Sequence, residues 1–310
     1  MGMLFFVYSQ TTNTKPMLVS NFLTYLQHEK RYSPHTVRAY QTDLVQFAGF
    51  MQKEFELNLT AVQATHVRSF MVHLLDNQNT ESTVKTKLST LRSFYKHLLR
   101  EQAIKVSPMA LIKAPKVPKR LPVFIEEAKM DALLDNQDYF NADFAGQRDK
   151  LILELLFGTG IRLAELLTLK ESDINFYENT IKVLGKRSKE RIVPLHKALV
   201  EQIKSCLELK SLQNFDNKSE ALIVTPTGAP AYPKMVYRVV KSYLTFISTQ
   251  DKKSPHVLRH SFASSLLNKG ADLNAIKELL GHASLAATQV YTHNSIERLK
   301  SIYKQAHPKA

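Results

Sequence analysis

Apolar residues recur every three to four positions through most of this 310-residue chain, the spacing that places them on one face of a helix. Val37, Tyr40, Leu44, Phe47, Ala48 and Met51 form one such stripe. Ser33-Pro34 ahead of it reads as an N-cap followed by proline at the first helical position. A second stripe carries Val84, Leu88, Leu91, Tyr95, Leu98 and Leu99, and weaker helical stretches lie at 17–29 and 65–75. The pattern predicts a small all-α bundle over residues 15–112.

The periodicity stops at residues 113–122, Lys-Ala-Pro-Lys-Val-Pro-Lys-Arg-Leu-Pro. Three prolines fix φ and remove amide donors, so neither a helix nor a central strand can run through this segment. A structural linker accounts for the prolines. Passage alongside DNA would account for its charge as well, carried in particular by Lys116, Lys119 and Arg120. A second domain then occupies 123–310 and is again mostly helical, with helices at 195–210, 233–248, 255–268 and 273–280. Ser254-Pro255 reads as a cap for the third of these, with Gly270 just past its end. Two short β-type runs at 180–184 and 191–195 flank Gly185-Lys186-Arg187-Ser188-Lys189, a hairpin signature. The fold class is therefore mainly α with a small β-hairpin or sheet, in two domains.

Composition is ordinary for a soluble globular protein, with 44% hydrophobic and 23% charged residues, but the formal net charge of +14 is not. Basic residues outnumber acidic ones by thirteen to seven up to position 115 and by 29 to 21 beyond it, so neither half is neutral. Such an excess implies a polyanionic partner, nucleic acid or an acidic membrane surface, although charge also serves solubility alone. The apolar run from Met3 to Tyr8 is far shorter than the ~20 residues a bilayer span needs, and it lacks the flanks of a signal peptide. The single cysteine, Cys206, excludes an internal disulfide framework, fits a reducing cytoplasm and shares an apolar stripe with Leu199 and Ile203. The expectation is a cytoplasmic protein with no membrane partner, whose initiator is Met1, Met3 or Met17.

Candidate chemistry clusters in the second domain. Gly158-Thr159-Gly160-Ile161-Arg162-Leu163-Ala164-Glu165 comes first, then Lys186 in the hairpin turn, then His256-Val257-Leu258-Arg259-His260. Leu280-Gly281-His282 follows, with Tyr291 nine positions after the histidine. Each alone has an ordinary explanation: a surface arginine, a solvated lysine, a chance i, i+3 pair, a helix cap, a half-buried tyrosine. The His-x-x-Arg-His block lacks the glutamate of a zinc motif, and Arg259 would repel a dication, so no metal is expected. No phosphate-binding glycine loop or dinucleotide fingerprint is present in the sequence, so no cofactor is expected either.

Together, these elements resemble the tyrosine recombinase family, and closely its Xer members, over about residues 16–308. The resemblance implies a C-shaped clamp around duplex DNA, built from a helical core-binding domain and a catalytic domain. It makes Arg162, Lys186, His256, Arg259, His282 and Tyr291 the catalytic set, with Glu165 and His260 as supports; packing would account for His260 equally well. Two guanidiniums suit a phosphate because each is permanently charged and offers a planar fork of donors. A phenol of reference pKa ~10 is a weak nucleophile but a tolerable leaving group, and ionising it at pH 7 costs about 4 kcal/mol. By analogy His256 would take the phenolic proton, Lys186 would protonate the departing 5′ oxygen, and His282 would bond a phosphate oxygen. The implied product is a 3′-phosphotyrosyl enzyme. The implied role is site-specific recombination for dimer resolution. A phage or mobile-element integrase is the alternative, and a non-catalytic basic DNA-binding protein a third reading. The implied assembly is a monomer in solution and a tetramer on two DNA sites, with or without a paralogous recombinase. The terminal stripe Ile296, Leu299, Ile302 and Tyr303 would pack on its own domain or on a neighbour's.

Overall fold

The structure, a computed structural model, describes residues 15–118, 123–185, 189–215, 219–281 and 303. The chain divides into two compact units, Met1–Arg120 and Leu121–Ala310.

In the first unit, α1 (Lys15–Thr24) runs through a π-helical turn at Tyr25–Glu29 and is followed by α2 (Pro34–Phe55), α3 (Ala64–Asp76) and α4 (Glu81–Arg100). Local chemistry sets the starts. The Ser33 hydroxyl accepts from the Thr36 amide ahead of Pro34, and the Thr80 hydroxyl accepts from that of Thr83. The helices close on a core that includes Phe22, Leu44, Phe47, Phe70, Leu88, Leu91, Phe94 and Tyr95. The Tyr95 hydroxyl enters that core with its polar end satisfied, donating to the Leu59 carbonyl at 3.0 Å. Asp43 on α2 ties to α4 by accepting from Lys87 at 2.8 Å and Thr90 at 2.7 Å. One position of the α4 stripe differs from expectation: Leu99 is exposed, and Phe94 takes the buried place. The true stripe bends around Phe94 because that ring meets Phe22 and Tyr95 at ring-centroid distances of 5.4 and 5.3 Å. After Met109 and Ile112, which pack into this core, residues 113–118 run without regular structure, with Lys116 exposed.

The second unit is built around a helix that the sequence pattern did not reveal. The helix α6 (Phe144–Thr159), preceded by α5 (Glu127–Asp135), is buried almost all round and packs against α8 (Lys197–Ser211) and α10 (Pro255–Asn268). Between them come the short α7 (Leu163–Leu166) and a three-stranded antiparallel sheet, β1 (Ile174–Asn175), β2 (Thr180–Leu184) and β3 (Glu190–Pro194), in the order β1-β2-β3. Thr180 pairs with Pro194 and Leu184 with Glu190. The Gly185 amide closes the hairpin base on the Lys189 carbonyl at 2.7 Å. The helices α9 (Pro233–Ile247) and α11 (Leu273–Leu280) also belong to this unit. Ser254 stands at the N-cap of α10 without a side-chain capping bond, so proline at the first position carries that start. Cys206 is buried, and burial pushes its thiol up to about 11, as packing requires. No described helix is long and apolar enough to cross a membrane.

Candidate active site

The site begins where α6 ends. Gly160 adopts a left-handed conformation at φ 61° and turns the chain sharply, so that Arg162 stands in extended backbone at the start of α7. The spacing of one helical turn then brings Glu165 back onto Arg162. Its carboxylate accepts from the Arg162 amide at 2.8 Å and from Arg162 Nη1 at 2.7 Å. Arg162 Nη2 also donates to the Gly281 carbonyl at 3.0 Å, just past α11.

Arg259 reaches the same place from α10. It is buried, donating from Nη1 to the Gly160 carbonyl at 2.5 Å and from Nη2 to the Leu280 carbonyl at 2.6 Å. Each guanidinium carries five N–H donors. Among the described residues each uses two for these side-chain bonds, so donors remain on both for an oxyanion.

A third arginine completes the cluster, one that sequence reasoning passed over. Arg191 on β3 is buried and grips Glu165 with both ends of its fork, Nη1 to Oε1 at 2.9 Å and Nη2 to Oε2 at 2.8 Å. Its Nε donates to the Leu279 carbonyl at 2.9 Å. A signal was available. In the period-2 pattern of β3, Arg191 shares the inward face with Val193, where a charge demands a buried partner.

Electrostatics follow from this crowding of three cations on one carboxylate. Burial alone would raise the Glu165 pKa, but the bonds and charge of Arg191 and the bonds from Arg162 outweigh it and hold the carboxyl below its ordinary value. Arg259 is lowered to about 10, first by burial and then by the neighbouring charge of Arg162, with Glu165 opposing. It remains a cation at neutral pH, but one whose charge an incoming anion would favour. Such a cluster can hold a tetrahedral oxyanion and stabilise further negative charge on it.

His256 lies exposed one turn before Arg259 on α10, and His260 is also exposed, so core packing does not describe it. Lys186, His282, Tyr291, Lys119 and Arg120 lie outside the described residues, although Gly185 and Gly281, which precede Lys186 and His282, are within them. Among the described residues no group of three His, Cys, Asp or Glu side chains stands as a metal site.

Comparison with known proteins bears on what this cluster serves. Residues 123–298 match the phage integrase family, and residues 19–102 match the phage integrase N-terminal SAM-like domain. The chain belongs to the phage integrase family. The tyrosine recombinase XerC of Chlorobaculum parvum is 38% identical to it over 316 residues, covering 93% of this chain and 94% of that protein. That of Thermodesulfovibrio yellowstonii is 38% identical over 303 residues, covering 96% and 98%. Among solved structures, the XerH site-specific recombinase bound to palindromic difH substrate, a post-cleavage complex, aligns with a TM-score of 0.68 at 24% identity. The alignment covers 91% of this chain and 83% of that one, and it shows a shared fold. The recombinase described here is thus a site-specific tyrosine recombinase of the Xer type, an enzyme that cleaves and rejoins DNA through a phosphotyrosyl intermediate.

Proposed function

We propose that Arg162 and Arg259 grip the scissile phosphate of a specific duplex site while Tyr291 attacks its phosphorus. The observation that carries this reading is that both guanidiniums are anchored to consecutive carbonyls, Leu280 and Gly281, immediately before His282, with donors left over for a phosphate. His256 takes the phenolic proton, the tyrosyl oxygen bonds to phosphorus, and the 5′ oxygen leaves with a proton from Lys186. His282 bonds a non-bridging oxygen, and Glu165 holds Arg162 in place. His260 supports from the same helix as Arg259. The bond energy stays in the 3′-phosphotyrosyl link, so a free 5′ hydroxyl can reseal the strand without a nucleotide cofactor.

The same reading assigns 15–112 to DNA binding, 113–122 to a basic linker that follows the backbone through Lys116, Lys119 and Arg120, and 123–310 to catalysis. Net charge of +14 favours a monomer until DNA neutralises it, and strand exchange between two duplexes calls for four protomers, alone or with a paralogous recombinase. The biological role is dimer resolution of chromosomes or plasmids in the cytoplasm.

Three variants test the chemistry on nicked suicide substrates. Tyr291→Phe loses one oxygen, so DNA affinity persists while covalent adducts vanish; adducts at native yield would assign the nucleophile elsewhere. Lys186→Ala cleaves ordinary DNA slowly but recovers on a 5′-bridging phosphorothiolate, because sulfur leaves without a proton. Arg162→Ala does not recover, and equal rescue of both would refute the division of roles.

A further inference from the structure

Arg191 is the one member of the cluster to which the proposed chemistry gives no task, yet its contacts join several parts of the site. Its fork closes on both oxygens of Glu165, which in turn holds Arg162 by backbone and side chain. Its Nε bonds the Leu279 carbonyl at the end of α11, two residues before Gly281. Two glycines lie against it. A Cβ on Gly281 would stand 3.3 Å from Arg191 Nη1, and one on Gly185 would stand 3.7 Å from the same atom and from Glu165 Oε1. One buried guanidinium thus abuts the base of the Lys186 hairpin, the residue before His282 and, through Glu165, the Arg162 clamp.

We propose that Arg191 is a positioning residue for cleavage: it sets Arg162 through Glu165 and abuts Gly185 and Gly281, the residues just before Lys186 and His282. The inference rests on the catalytic assignments above. Lysine cannot replace it, because a single ammonium cannot span both carboxylate oxygens and the Leu279 carbonyl in one plane. The hydrogen bonds and charge of Arg191, with the bonds from Arg162, keep Glu165 ionised in a buried place, so Arg191 and Glu165 act as a unit.

The test uses the full chain, a melting curve, DNA affinity, and the single-turnover rate constant for adduct formation. A rate constant is read in place of a yield, because unfolded molecules lower the yield but not the rate. Arg191→Lys should bind its site within about threefold of the native protein, since the side chain makes no DNA contact in this scheme. It should cleave about tenfold to a hundredfold more slowly, the cost of misplacing reacting groups. Glu165→Gln should slow cleavage as well, and the double variant should be no more than about threefold slower than the slower single, because both changes break one unit. Native-rate cleavage by Arg191→Lys would overturn the proposal, as would a double variant whose loss is the product of the two single losses. Should Arg191→Lys melt below the assay temperature, Arg191→Met with Glu165→Gln removes the orphaned charge. That pair should fold and cleave slowly; native-rate cleavage or failure to fold would overturn the positioning role. Native protein that forms no adduct, or Tyr291→Phe that does, would overturn the catalytic assignments and this inference with them, which separates that failure from a failure of Arg191 alone.

Discussion

Truncating Tyr303 should destabilise the catalytic unit of a single chain. This residue closes the apolar stripe after the proposed nucleophile, a stripe whose spacing fits packing on the same domain or on a neighbour. The structure places its ring in its own chain, only 3% exposed, among Phe262, Leu266, Ile276, Leu279 and Leu280. Its hydroxyl donates to the Gly158 carbonyl on α6 at 2.8 Å, and burial pushes the phenol well above its ordinary value, so it stays a donor. Tyr303→Ala removes a ring from a packed core and should cost about 3–5 kcal/mol. Tyr303→Phe removes only the hydrogen bond and should cost about 0.5–1.5 kcal/mol. For a unit of this size each kcal/mol lowers the melting temperature by about 2–4 °C, so the alanine variant should melt roughly 6–20 °C early. Thermal unfolding would be followed in dilute DNA-free protein, with sedimentation confirming a monomer. An alanine variant melting within a degree of native would refute packing within the chain. A destabilisation that disappears on dilution would place the ring in a neighbouring molecule instead.

Other consequences are shorter to state. Gly160→Ala puts a methyl on left-handed backbone and 2.3 Å from the buried Phe262 ring, so it should cost about 2–5 kcal/mol by denaturant unfolding. Gly270→Ala, also at positive φ but with nothing within 4 Å, should cost no more than about 1–2 kcal/mol; equal losses would refute the packing argument. The depressed pKa of Glu165 gives stability that is fully present above the ordinary carboxylate value of 4.5 and is lost as pH falls through the lower folded value. The stability gap between native protein and Glu165→Gln should therefore be flat near neutrality and narrow in acid, and a gap unchanged down to pH ~3 would refute it.

How much of this was legible beforehand depended on whether a residue's burden was local. The helices α2 and α4 announce themselves because each buries one face and leaves the other wet, so their stripes survive in the sequence. The hairpin is equally local, since β2 and β3 alternate around a glycine-led turn. The helix α6 gave no such signal. With Leu151, Ile152, Leu153, Leu155, Leu156 and Phe157 all buried, it has no wet face and hence no periodicity. The misplacement of Leu99 is the converse case, because packing of Phe94 against Phe22 moved the stripe by a tertiary contact that no window of sequence contains.

The site divides along the same line. Arg162, Glu165, His256 and Arg259 were visible because they sit in short blocks whose spacing is itself the geometry: three residues bring Glu165 under Arg162, and three bring His256 one turn from Arg259. Arg191 was harder to read: its inward register on β3 says only that a charge is buried, and its meaning lies in partners 26 and 88 positions away. What links them physically is the end of α11. Leu279, Leu280 and Gly281 offer three successive carbonyls, and these take a bond from Arg191, Arg259 and Arg162 in turn. The same turn rests on the small core that Tyr303 fills, through Leu279 and Leu280. Tyr303, which lies after the proposed nucleophile in sequence, therefore packs against the residues whose carbonyls tie the proposed phosphate clamp. Loss of that support should loosen the guanidiniums as a set rather than singly, which is why the cost of Tyr303→Ala is expected in cleavage as well as in melting.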